Sequence, residues 1–174
     1  ANDRTGDALL IDASPDFRGQ FLARDVPLPD AAVVTHIHFD HLDGLGNAYR
    51  LLDDLPVHAA DERDPETGES VAGTVRRRYD YLDRVTVRPQ RPGERFRAAG
   101  FDGRLVPVDY PPLLCYGVVG EGADGGKLAV TGDTSYAVPP ASRAALSDAD
   151  LLLADALVPA TACGRHPLGG THHD

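Results

Sequence analysis

Between residues 33 and 44 the chain reads Val-Val-Thr-His-Ile-His-Phe-Asp-His-Leu-Asp-Gly, and no other stretch limits its fold so tightly. Four metal-seeking side chains, His36, His38, Asp40 and His41, fall within six residues. They follow directly on a β-branched run, Val33, Val34 and Thr35, which predicts a buried strand. Side chains two apart in an extended segment project to the same side, so His36 and His38 can share one ion. Asp40 and His41 come after the chain has turned and can face a second ion beside the first. Imidazole suits zinc and similar metals, and carboxylate suits harder ions such as manganese. The pattern predicts a metal site at the C-terminal end of a buried strand. A polar loop of solvated histidines would explain the side chains but not the apolar β run leading into them.

The rest of the chain alternates short apolar runs with helical ones. Residues 8–12 read as a strand ending in an acid, Asp12. Ser14 and Pro15 then open a helix that runs to Arg24, with Ser14 as its N-cap. Residues 31–35 form the strand that delivers the histidines, and 45–55 predict a helix burying Leu45, Tyr49 and Leu52. A strand follows at 56–60, and His58 inside it reads as structural rather than as a ligand. Residues 61–73 read as a polar surface connection. A helix at 74–82 carries Arg76, Arg77 and Arg78, which read as a solvated face. Further strands are expected at 84–90, 95–99, 101–108, 113–119 and 127–131, with turns at Pro92-Gly93, Asp102-Gly103 and 123–126. Pro139-Pro140 opens a helix to Leu146, and 149–154 forms a last strand. Strands that alternate with helices and hairpins predict an α/β fold of two sheets with helices outside, in a single domain over 1–174.

A second signal is Thr131-Gly132-Asp133-Thr134. An acid directly after an apolar strand and a glycine sits at a sheet's edge, where clefts form.

His36-x-His38-x-Asp40-His41 followed by Gly44 resembles the signature of the metallo-β-lactamase superfamily. The resemblance implies an αββα sandwich with a binuclear site at one edge, holding two divalent ions, zinc or alternatively manganese. Gly132-Asp133-Thr134 resembles the family's Gly-Asp-Thr segment, which implies that Asp133 bridges the two ions. Within the superfamily the chain resembles the phosphodiesterase branch, which includes the tRNA 3′-processing endonucleases and the cyclic phosphodiesterases of phosphonate breakdown. The segments that carry this are Leu10-Ile11-Asp12 with Asp16-Phe17-Arg18, and Val106-Pro107-Val108-Asp109 before Leu114-Cys115-Tyr116-Gly117.

The chain departs from the family at Tyr110, which stands where that branch carries a ligand histidine. Phenol titrates near pH ~10, so Tyr110 is a poor ligand unless a metal removes its proton. Weakened metal binding at the His36 and His38 site is therefore expected, with a tyrosinate ligand as the other outcome. The family's last metal-binding histidine lies beyond residue 174, and an opening strand precedes the counterpart of residue 1. A sandwich truncated at both ends is the corresponding expectation, with an uncovered edge that favours a homodimer. His172 matches a family histidine that protonates the leaving group. The implied activity is hydrolysis of a small phosphodiester by a metal-bound hydroxide, with Asp40 orienting the nucleophile and His172 as general acid. Two alternatives stand beside it. One is thioester, lactone or β-lactam hydrolysis in the same fold. The other is an inactive remnant, because Tyr110 replaces a histidine and the last ligand is missing.

Charge narrows the partners. Seventeen basic residues face 27 acidic ones, for a net charge of −10. Lys127 is the sole lysine, and aspartate outnumbers glutamate 22 to 5. Such a carboxylate-rich surface suits a halophilic source, in which the unfolding midpoint rises from low salt to molar KCl. It also disfavours nucleic acid as a partner. No apolar run reaches the ~18 residues of a membrane span. Two cysteines, Cys115 and Cys163, lack CxxC spacing and fit a reducing, cytoplasmic setting.

Overall fold

The computed structural model describes residues 1, 5–24, 26–48 and 51–156. Two sheets face each other, and helices cover their outer faces. The first sheet is all parallel in the order β1-β2-β3-β4, from Leu9–Ile11, Ala31–Val34, Leu55–Ala60 and Val85–Gln90. The second has the order β5-β6-β7-β8-β9, from Arg95–Ala98, Phe101–Val108, Cys115–Glu121, Lys127–Val130 and Leu151–Leu153. It is antiparallel except for the β8–β9 pair. Five helices are described: α1 (Phe17–Ala23), α2 (Phe39–Leu42), α3 (Leu45–Ala48), α4 (Val71–Arg78) and α5 (Pro140–Leu146). The αββα sandwich expected from the resemblance is the fold the chain adopts.

Side-chain alternation explains how one strand serves two layers. Leu105 of β6 pairs with Val118 of β7, and both point into the core between the sheets. Their neighbours Val106, Val108, Cys115 and Val119 point the other way, into a second core shared with Val138 and Leu146 of the α5 region. Val33 and Val34 of β2 are fully buried, as a parallel strand covered on both faces must be. α4 packs on β3 and β4 and inserts Val71, Ala72 and Val75 into the main core. His58 stays structural. Its ring stacks on Phe96 of the facing sheet at 4.9 Å, and Gln90 holds its Nδ1 at 3.0 Å.

Four local expectations are corrected. The third helix of the reading, 74–82, is α4 and begins earlier, because Ser70 caps it by accepting from Gly73 N at 3.0 Å. The connection before it is correspondingly shorter. The helix expected over 45–55 ends as α3 at Ala48, although Leu52 is buried as foreseen; Tyr49 lies outside the described residues. α1 begins at Phe17 with Asp16 at its N-cap position, not Ser14. The turn joining β5 to β6 is Ala99-Gly100, with φ of 46° and 74°, the positive pair that a two-residue hairpin favours. Asp102-Gly103 lies inside β6 instead. Gly103 is opposite Phe96, and a Cβ there would collide with the Phe96 ring.

No helix among the described residues is long and apolar enough to cross a membrane.

Candidate metal centre

Strand ends build the site. His36, His38, Asp40 and His41 follow β2, Asp133 follows β8, Asp109 and Tyr110 follow β6, and Asp12 follows β1. Backbone hydrogen bonds hold these ends together. Tyr116 N donates to Thr35 O at 3.2 Å, joining the two sheets beside the histidines. Ala13 N donates to His41 O at 2.7 Å, and Gly44 N donates to Ala13 O at 2.8 Å. A Cβ on Gly44 would collide with the carbonyl oxygens of Ser14 and Ala13, so the glycine that closes the histidine stretch permits this contact.

Among the described residues, His36, His41 and Asp133 form the group that could hold an ion, with ligand atoms within 4.8 Å of one another. His36 Nε2 lies 3.6 Å from Asp133 Oδ2, and His41 Nε2 lies 3.3 Å from Asp133 Oδ1. The rings of His36 and His41 are 4.2 Å apart, closer than the 4.9 Å between His36 and His38. His41 thus reaches the same Asp133 carboxylate as His36, through its other oxygen. Asp40 is at the rim, about half exposed, with Oδ2 3.6 Å from His41 Nε2. Tyr110 packs edge-on against both His36 and His38, at 5.4 and 5.5 Å. His172 lies outside the described residues.

The hydrogen-bond chain behind the histidines fixes the tautomer of His36. Thr35 Oγ1 donates its one proton to Asp12 Oδ2 at 2.7 Å, since a carboxylate can only accept. The 3.0 Å contact between Thr35 Oγ1 and His36 Nδ1 therefore has Nδ1–H as donor. The Nε2 lone pair of His36 is left facing Asp133. That nitrogen is buried and has no hydrogen-bond partner, on a side chain that is 0% exposed. A buried orphan acceptor is unfavourable by roughly 1–3 kcal/mol, and a cation between Nε2 and Asp133 removes the deficit. The residues present therefore fit a divalent ion.

Asp12 is the residue that reading the sequence as a metal motif misses. Its Oδ1 accepts from Thr35 N at 2.8 Å, and its Oδ2 accepts from Thr35 Oγ1 and from His41 Nδ1, each at 2.7 Å. Its φ of 57° is left-handed, a conformation that aspartate tolerates better than most residues. Two further acids brace the other side. Ser135 donates its hydroxyl to the Asp109 carboxylate and its backbone N–H to the Asp109 main-chain carbonyl, and Thr134 N donates to Asp155 Oδ2 at 3.1 Å. Each of these acids ends or closely follows an apolar strand, the signal that picked out Asp133.

Protonation follows from these contacts. Burial and the neighbouring His41 push His36 down to about 4, from 6.5. Burial also opposes charge on His41, but its hydrogen bonds to Asp12 and Asp133 outweigh that and raise it to about 10. In the metal-free protein His36 is neutral and His41 is a cation between two carboxylates. His36's contribution to stability is complete above 6.5 and is lost as pH falls toward about 4. His41's contribution is complete below 6.5 and is lost as pH rises through about 10. The thermal midpoint of the metal-free protein should therefore peak near pH ~6.5 and fall on both sides. His41→Gln should remove the alkaline limb. An alkaline limb that persists in that variant would contradict the assignment.

Facing sheets with histidines and an aspartate converging at their strand ends define a metallo-β-lactamase fold, the architecture of a class of metal-dependent hydrolases. The chain belongs to the β-lactamase superfamily, since the model of the family described as "Beta-lactamase superfamily domain" matches residues 8–166. Three solved structures resemble it over 97% of its length. The metallo-β-lactamase fold protein YhfI from Bacillus subtilis has a TM-score of 0.73 at 18% identity, with 66% of that chain covered. A diphosphatase from the PhnP family has 0.74 at 27% identity, with 61% covered. The short form of human tRNase Z has 0.72 at 15% identity, with 74% covered. An octanoyltransferase from Porphyromonas gingivalis (strain ATCC BAA-308 / W83) is 35% identical over 89 residues, which is 50% of this chain and 16% of that protein. The chain thus spans less than two thirds of the diphosphatase and a sixth of the octanoyltransferase.

Proposed function

We propose that the chain is a metal-dependent phosphodiesterase acting on a small substrate. The observation that carries this is the unpartnered, buried Nε2 of His36 aimed at Asp133, with His41 converging on the same carboxylate. In this reading His36, His38, Asp133 and Tyr110 hold one ion, and Asp40, His41 and Asp133 hold the other. Bound zinc or manganese supplies Lewis acidity that activates water near neutral pH and offsets charge on the phosphate oxygens.

The protein's own groups do the rest. Asp133 would serve both sites, since one of its oxygens faces His36 and the other His41. Asp40, at the exposed rim, orients the attacking water. Asp12 keeps His41 Nδ1 protonated, so that Nε2 is the nitrogen that faces the cleft. Water gives up a proton as its oxygen adds to phosphorus, one P–O ester bond breaks, and the departing alkoxide takes up a proton. His172 is the candidate to deliver it. The likeness to a diphosphatase and to tRNase Z supports phosphorus rather than carbonyl carbon as the electrophile. A net charge of −10 supports a small diester over a nucleic acid.

The test begins with metal content, by elemental mass spectrometry after reloading with zinc or manganese and dialysis. About two ions per chain are expected, falling to one or fewer in Asp133→Asn. The loaded protein should hydrolyse bis(4-nitrophenyl) phosphate and leave a β-lactam and a thioester intact. Turnover of either carbonyl substrate without diester turnover would overturn the reading.

A further inference from the structure

Ile37, between His36 and His38 in sequence, forms part of the wall of a cavity of about 390 Å³. Val71 and Thr74 of α4 form another wall, and Leu113 and Leu114 a third. A second cavity of about 400 Å³ is lined by Tyr110 and shares Asp64, Pro112, Leu113 and Leu114 with the first. The two adjoin, so a trough leads from Tyr110, against the ligand histidines, to α4. Its first part has the size of a site for a small organic group.

The chemistry of the trough says what that group is. Arg77 is the sole cation among the residues lining the first cavity, and it is already spent. Its two Nη atoms donate to Glu69 Oε1 and Oε2 at 2.7 and 2.5 Å. Thr74 Oγ1 donates to the same carboxylate at 3.0 Å, and Ser70 Oγ donates to Asp61 at 2.8 Å. Asp64 Oδ1 is held by the backbone of Glu66 and Thr67 at 2.9 and 2.8 Å. Asp64 and Glu69 against Arg77 leave the lining with a net negative charge, which disfavours a second phosphate. The unengaged surface is apolar, from Ile37, Val71, Leu113 and Leu114.

We propose that this cavity seats a neutral apolar arm, aryl or branched alkyl, of the phosphodiester hydrolysed at the metal centre. The substrate is then a diester with one uncharged apolar substituent, not a polyanion. The phosphodiesterase reading supplies what carries the arm; the cavity alone supplies the arm. Thr74→Trp fills the cavity from α4, and Leu113→Asp places a charge in its wall, and neither is a proposed metal ligand.

Two measurements test it on the full chain. In the first, 2-naphthol stands in for the arm, and its binding is read by saturation-transfer NMR on the wild-type protein and both variants. The signal should fall about 10-fold in each variant while metal content is unchanged. In the second, naphthyl 4-nitrophenyl phosphate is compared with methyl 4-nitrophenyl phosphate. The wild-type kcat/KM should favour the naphthyl ester about 10-fold, and the ratio should approach one in Thr74→Trp. Naphthol that does not bind, or binds both variants as well as the wild type, overturns the proposal, as does a wild-type ratio near one. If no diester is turned over yet naphthol binding is lost in the variants, the phosphodiesterase reading fails and the apolar site stands.

Discussion

Asp12→Ala is expected to lower the stability of the metal-free protein by about 3–5 kcal/mol, the usual effect of breaking a buried charge pair. For a chain of this size that is a fall in thermal midpoint of roughly 10 °C. Asp12 is only 16% exposed, and its two oxygens accept three hydrogen bonds, two from Thr35 and one from His41. Alanine would leave the Thr35 N–H unpaired, take away the acceptor of the Thr35 hydroxyl proton, and remove one of the two carboxylates that raise His41 to about 10. Metal binding should weaken in parallel by about 10–100-fold, because nothing would hold His41 Nδ1 as the protonated nitrogen. Thermal unfolding with and without metal, and chelator competition, measure both effects. A loss of stability under ~1 kcal/mol would mean that Thr35 and His41 keep their positions without the carboxylate.

The second large effect is a gain. Tyr110→His is expected to tighten metal binding by at least the 10–100-fold that outer partners of a ligand are worth. The Tyr110 ring already lies edge-on to His36 and His38, within 5.5 Å of each. Burial and the Asp133 carboxylate push its phenol well above its ordinary value, so it remains a neutral group at neutral pH. An imidazole there offers a lone pair with no proton to remove. Chelator competition on wild type, Tyr110→His and Tyr110→Phe separates the cases. If phenylalanine binds as tightly as tyrosine, the phenol contributes nothing. If phenylalanine is weaker, the ion draws the proton off Tyr110. Equal affinity of histidine and phenylalanine would show that this side chain does not face the ion.

Much of the fold was legible because its signals are local. The apolar β run into His36, the acid after the strand at Asp133, and the 123–126 hairpin each depend on neighbours in sequence. The errors came where a distant partner decided the outcome. Asp102-Gly103 has the composition of a turn, but Gly103 lies under the Phe96 ring and is kept for that packing, while Ala99-Gly100 makes the turn. α4 starts at Val71 because Ser70 is free to cap it, its hydroxyl proton held by Asp61 nine residues upstream.

The same division runs through the site. The sequence by itself determined which side chains could bind a metal and at which strand ends they stand, because ligand type and strand periodicity are short-range properties. It also determined that Tyr110 breaks the expected set. Only the tertiary structure decided which groups meet: His41 shares Asp133 with His36, and Asp12, 29 residues before His41, holds its Nδ1. Those contacts join strand ends from both sheets, and no spacing along the chain encodes the distance between two ends that only folding brings together.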